Sequence, residues 1–183
     1  MSRNSVRTVR HKAVAVAAAA LALGSVVTTA TAAQASTTQG YINGFDDVTD
    51  DWGDEGLLST TQHSNSGAVG IWQAVLYNDG FLGRSDVDCK FGPATAAATK
   101  KWQAKYLGAG QADGVVGNKT FGKASTWLKE YLWAGEWTGL KYDGTIDEFQ
   151  TITFERNKTT GRYSFYKAPG VRVEGYYDSM GGC

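Results

Sequence analysis

The run Asp88-Cys89-Lys90-Phe91-Gly92-Pro93-Ala94-Thr95 returns 25 positions later, in degenerate form, as Asp113-Gly114-Val115-Val116-Gly117-Asn118-Lys119-Thr120. Each copy opens on Asp, has Gly in its middle and closes on Thr, a pattern that turns the chain and delivers it into a helix. The same offset carries Trp102 onto Trp127, Tyr106 onto Tyr131, Leu107 onto Leu132, Ala109 onto Ala134 and Gly110 onto Gly135. Two turn-into-helix units of one design therefore follow each other. Two copies are too few to stack as a solenoid, which needs at least about three, so a compact bundle with internal pseudo-symmetry is expected.

The surrounding periodicity agrees. From Gly67 onward Val69, Trp72, Val75 and Leu76 recur at helical spacing behind Ser66, a good N-cap residue, and Asn78-Asp79-Gly80 ends that helix. A second helix starts at Pro93, where the missing N–H costs nothing, and sets Ala94, Ala98, Trp102 and Tyr106 on one stripe. A third follows Gly117 and places Phe121, Ala124, Leu128 and Tyr131 on one face. After Trp133 the texture changes to strands: Ile152 and Phe154 alternate with Thr, a turn spans 157–161, Tyr163 and Phe165 alternate again, and Pro169-Gly170 turns the chain into Val171-Arg172-Val173. The expected fold class is α+β, a three-helix bundle over 67–133 followed by a small antiparallel β-meander of three or four strands over 134–183. Such a meander is marginal alone and should pack on the helices.

Ahead of the bundle lie two further segments. Residues 1–35 combine Arg3, Arg7, Arg10 and Lys12, an Ala- and Val-rich stretch from Ala13 to Val27, and Ala33-Gln34-Ala35, the layout of a secretory signal peptide. The apolar stretch is shorter than the roughly 20 residues a spanning helix requires, so export rather than membrane anchoring is expected. Residues 36–66 form a lead rich in Gly, Ser, Thr, Asn and Asp. It holds six acidic and no Lys or Arg residues, whereas 67–133 holds eight basic and five acidic, so the lead is expected to be extended, with its acidic face solvated or against the basic module. Its carboxylates lack the alternating oxygen ligands and closing Glu of a calcium loop, and no metal site or cofactor is expected. Without the leader the chain has 14 basic and 18 acidic residues, a net charge of −4, which speaks against a nucleic-acid partner.

Cys89 and Cys183 are the only cysteines, and an even count in an exported chain reads as one disulfide, the alternative being free or intermolecular thiols. Such a bond would tie the C-terminus to the first repeat. Cys89 stands where the second repeat has Gly114, at a turn position that commonly needs a positive φ.

Taken in order, Val69-x-x-Trp72-Gln73, Gly80-Phe81-Leu82-Gly83, Asp88 to Thr95, Trp102-Gln103 and Asp113 to Thr120 resemble the peptidoglycan-binding-like domain of secreted bacterial wall proteins. The resemblance covers about 66–132, and departs from the family's pattern at Cys89, in place of a Gly, and at Asn118, in place of a Pro. It implies a noncatalytic module that binds peptidoglycan or another wall polysaccharide through a shallow groove near the first repeat. The lining would be drawn from Tyr77, Phe81, Arg84, Asp88, Phe91 and Trp102. The protein would be secreted, extracellular or wall-associated, and monomeric.

Physical chemistry offers competing readings. The motif's Asp, Gly and Thr serve turn and cap geometry without any ligand, and Trp102 and Trp127 lie on helical stripes that favour burial. A cell-wall hydrolase would need a catalytic set: one histidine, His63, remains outside the leader, too few for the usual zinc ligands. Glu136, Asp143, Glu148, Glu155 and Glu174 are available carboxylates, but nothing in their spacing arranges them as a pair. An exported interaction or inhibitor protein would instead use the aromatic C-terminal region: Trp133, Trp137, Tyr142, Tyr163, Tyr166, Tyr176 and Tyr177.

Overall fold

The computed structural model describes residues 37–183; the expected leader lies outside them. Three α-helices, α1 (Gly67–Asn78), α2 (Pro93–Tyr106) and α3 (Asn118–Ser125), precede five strands, β1 (Leu128–Ala134), β2 (Trp137–Tyr142), β3 (Phe154–Asn157), β4 (Tyr163–Ala168) and β5 (Val171–Glu174). Each strand pairs antiparallel with the next, so the sheet order follows the chain. The fold class is α+β, as the sequence indicates.

Helix α1 is the centre of the molecule. Ser66 caps it by accepting the Val69 N–H at 3.2 Å, and every residue except Tyr77 is buried. A helix that is apolar all round must be enclosed, and this one is. Trp72 meets Trp102 of α2 and Phe121 of α3, at centroid distances of 5.1 and 5.6 Å. On another side Gly67 and Gly70 admit the sheet: a Cβ at Gly67 would lie 1.7 Å from the Glu174 carbonyl, and one at Gly70 would lie 3.1 Å from the Phe165 ring and 2.5 Å from Cys89 Sγ. The buried stripe of α2 consists of Thr95, Ala98, Thr99, Trp102 and Gln103. Ala94, expected on that stripe, is exposed.

The third helix differs from expectation. It stops at Ser125, and Leu128 to Ala134 form a strand in which Tyr131 is exposed rather than packed. The cause lies just downstream, where Gly135 adopts φ 56° between Ala134 and Trp137 and closes a tight hairpin that pairs β1 with β2. The first repeat, which has no such partner strand, stays helical as far as Tyr106, the equivalent of Tyr131.

The lead is not a loosely attached segment. Ile42, Trp52 and Leu58 are fully buried, and Trp52 makes edge contacts with Phe121 of α3, Phe154 of β3 and Tyr163 of β4, at 5.9, 5.7 and 5.2 Å. Nor are all its carboxylates solvated, and the buried ones face the C-terminal region rather than the basic module. Asp51 binds Arg156 at 2.6 Å and accepts the Tyr163 hydroxyl. Glu55 accepts the Asn43 N–H at 2.8 Å and the Tyr177 hydroxyl at 2.6 Å, and that hydroxyl itself accepts the Gly56 N–H.

Glu55 is 1 % exposed, and burial pushes its carboxyl up from 4.5 to about 7, against the pull of the Asn43 and Tyr177 bonds. A raised folded-state pKa means that the native protein holds a proton the unfolded chain has released. The stabilisation is therefore complete below about pH 4.5 and is lost as pH rises to about 7, a change of about 3 kcal/mol from this one group. Glu55→Gln, which mimics the protonated form, is expected to remove that part of the slope. Urea denaturation of both proteins at a series of pH values between these limits checks it, and parallel curves would refute the assignment.

Candidate functional site

The repeated motif is built around two buried glutamines. In the first unit Gln73 of α1 accepts the N–H groups of Asp88 and Cys89 through Oε1, at 3.1 and 2.8 Å. Its Nε2 donates to Asp88 Oδ1, to the Lys90 carbonyl and to Thr95 Oγ1 at 2.9, 3.1 and 3.0 Å. In the second unit Gln103 of α2 accepts the Gly114 N–H at 2.8 Å and donates to Asp113 Oδ1, the Val115 carbonyl and Thr120 Oγ1 at 2.9, 2.8 and 3.1 Å. Each motif Asp also accepts the N–H two residues on, from Lys90 or Val115, at 2.9 Å. Each helix thus clamps the turn that leads into the next one. The motif's Asp and Thr are consumed by this clamp, and both Asp-adjacent residues take a positive φ, 63° at Cys89 and 80° at Gly114.

The six residues named from the resemblance therefore separate. Asp88 is a turn residue held by Gln73. Phe91 is 3 % exposed and Trp102 fully buried, so neither offers a ring face to solvent. Trp102 belongs to the core: its indole N–H donates to Asp79 Oδ2 at 2.7 Å, and Asp79 also accepts the hydroxyls of Tyr142 and Tyr106, at 2.8 and 3.1 Å. Burial and the neighbouring Asp79 charge both raise the pKa of Tyr142, which keeps it a neutral donor. Asp79 thereby fixes α2 and the sheet to the end of α1, a role with no evident sequence signal.

Tyr77 and Arg84 come together at the C-terminal end of α1 and the loop after it, while Phe81, between them in the chain, turns to Tyr106 and Lys105 of α2. The Arg84 guanidinium lies 5.4 Å from the Tyr77 ring centre and donates to the Lys167 carbonyl at 3.0 Å, while the Tyr77 hydroxyl donates to the Gln150 carbonyl at 3.2 Å. Phe81 meets Tyr106 edge-on at 6.3 Å, and Lys105 Nζ stands 5.5 and 4.7 Å from these two rings. This is a partly exposed aromatic and cationic surface, shared between the helices and the sheet. Comparison of the chain with family models, curated proteins and solved structures gives no match.

The expected disulfide is present: Cys89 and Cys183 are bonded, with Cα atoms 6.2 Å apart. Among the C-terminal aromatics, Tyr142, Tyr163 and Tyr177 are buried and Trp133 and Tyr166 exposed. Four of the five available carboxylates are in ion pairs, Asp143 with Lys129, Glu148 with Lys141, Glu155 with Arg172 and Glu174 with Arg162. Among the described residues no group of three or more His, Cys, Asp or Glu is placed to hold a metal ion, and no helix is long and apolar enough to cross a membrane.

Proposed function

We propose that the protein is an exported, noncatalytic and monomeric binder of bacterial cell-wall peptidoglycan, with α1–α3 as a peptidoglycan-binding-like bundle and the strands as a meander packed on it. The observation that carries this reading is the paired glutamine clamp. Gln73 and Gln103 are the glutamines of the motif elements on which the resemblance rests, and both fasten an Asp-to-Thr turn in the same manner. The binding surface is then Tyr77, Phe81 and Arg84. Aromatic rings suit the C–H faces of sugars, and a guanidinium suits the carboxylates of stem peptides. A disulfide fits an oxidising compartment outside the cytosol.

Cosedimentation with purified insoluble peptidoglycan tests the proposal. Retention is expected, weakened at least about tenfold in Tyr77→Ala/Arg84→Ala if these side chains carry binding energy. Absence of retention would overturn the function, and undiminished retention in the variant would move the site. One observation favours a partner protein as the second reading: Tyr131, Leu132 and Trp133 are successive exposed apolar residues, 47 %, 51 % and 62 % accessible.

A further inference from the structure

We propose a second binding site, for an uncharged saccharide, in the concavity between the lead and the end of the sheet that carries the β1–β2 hairpin. Phe45 of the lead, Glu130 and Trp133 of β1, Thr138 of β2, Arg156 of β3 and Lys158 line it, and its volume is about 470 Å³. That lies within the size range of small-ligand sites.

Three observations define its occupant. Phe45 and Trp133 are 53 % and 62 % exposed, so two large rings stand at one hollow without entering the core. Thr138 is 1 % exposed and its hydroxyl has no hydrogen-bond partner. A buried hydroxyl left unpaired is costly, and since Thr138 lines the hollow, a ligand hydroxyl or amide that reaches it would satisfy it. The cations there are already engaged. Arg156 binds Asp51, Glu130 and the Asp46 carbonyl, and Lys158 donates to the Gly135 carbonyl at 2.8 Å while lying 4.8 Å from the Trp133 ring centre. Because Asp46 and Glu130 line the hollow beside Arg156 and Lys158, its charges balance and it favours neither phosphate nor carboxylate. Rings for an apolar face, together with a hydroxyl for a polar edge, match a neutral sugar.

The hollow is also held in shape. Gly44 donates to the Gly161 carbonyl at 3.1 Å, and Phe45 lies so close to Gly161 that a Cβ there would stand 2.8 Å from its Cζ. An extended peptide added along the edge strand β1 is the less suitable occupant, because the register shift between Glu130 and Leu132 interrupts the backbone row such pairing requires.

This site shares no residue with the Tyr77, Phe81 and Arg84 surface, so a loss of binding in the variants of Trp133 and Thr138 is read at this hollow and not at the wall-binding surface. Calorimetric titration of the purified protein with tetramers of N-acetylglucosamine and of glucose is expected to show saturable binding of at least one. Trp133→Ala should weaken it at least about tenfold, as loss of a central aromatic anchor does. Thr138→Val, which keeps the shape and removes the hydroxyl, should weaken it about threefold with an undiminished melting temperature. No saturable binding of either sugar, or affinities unchanged in both cleft variants, would overturn the proposal.

Discussion

Replacement of Arg156 by Met is expected to cost 3–5 kcal/mol of stability at neutral pH, roughly the effect of leaving one member of a buried ion pair alone. The Arg156 side chain is 9 % exposed and that of Asp51 1 %. Besides its 2.6 Å bond to Asp51, the guanidinium donates to the Asp46 carbonyl at 3.3 and 3.2 Å and to Glu130 at 3.1 Å, so one side chain joins the lead, β1 and β3. Burial already holds the Asp51 carboxyl above its ordinary value, against the bonds from Tyr163 and Arg156. Without the cation its pKa should rise further. The sign of the pH dependence follows: the penalty is largest where Asp51 must be either a buried anion or an acid that has taken up a proton, and it shrinks at low pH, where the group is neutral in both proteins. Replacing Asp51 and Arg156 together, by Leu and Met, should recover most of the loss. Denaturant titrations of the single and double variants at pH 7 and pH 4 check this, and equal losses at the two pH values would contradict it.

The second large effect belongs to the disulfide. Cys89 and Cys183 are 94 positions apart, and opening a loop of that size restores denatured-state entropy worth about 4.7 kcal/mol. Cys89→Ser/Cys183→Ser is expected to lose about that much in denaturant titrations. Cys89 also has φ 63°, where a side chain costs about 1 kcal/mol relative to Gly. Cys89→Gly/Cys183→Ser should therefore lose less than the serine variant by about that amount, and equal stabilities of the two would show that the backbone strain is absent.

Much of the helical part was legible because its signals are local. Ser66, Pro93 and Gly117 mark helix starts through cap and turn chemistry, and the 25-residue offset marks two units of one design. The offset misled only where local and long-range pairing compete: Tyr131 and Leu132 align with helical Tyr106 and the adjoining Leu107, yet pairing with β2 takes them into a strand. The lead was hardest to read. Its Asp-rich surface pattern hides Ile42, Trp52 and Leu58, which lack any period because they fill gaps between elements distant in sequence. Asp51 and Glu55 look like their exposed neighbours Asp50 and Asp54, and only the tertiary partners Arg156 and Tyr177 set them apart. At the surface near the first repeat, Tyr77 and Arg84 are near in sequence and meet, whereas Phe81 meets Tyr106 and Lys105 of α2. For Trp102 the helical stripe favours burial and the resemblance a groove, and the structure follows the stripe.

Titration of the isotopically labelled protein with soluble peptidoglycan fragments carrying both disaccharide and stem peptide, followed residue by residue in amide and side-chain NMR spectra, tests the functional reading most directly. Saturable shifts clustered at Tyr77, Phe81, Arg84 and Lys105, with the buried Gln73 and Gln103 amide signals little changed, are the predicted result. Spectra that do not respond to the fragments, or shifts that leave this surface untouched, would contradict it.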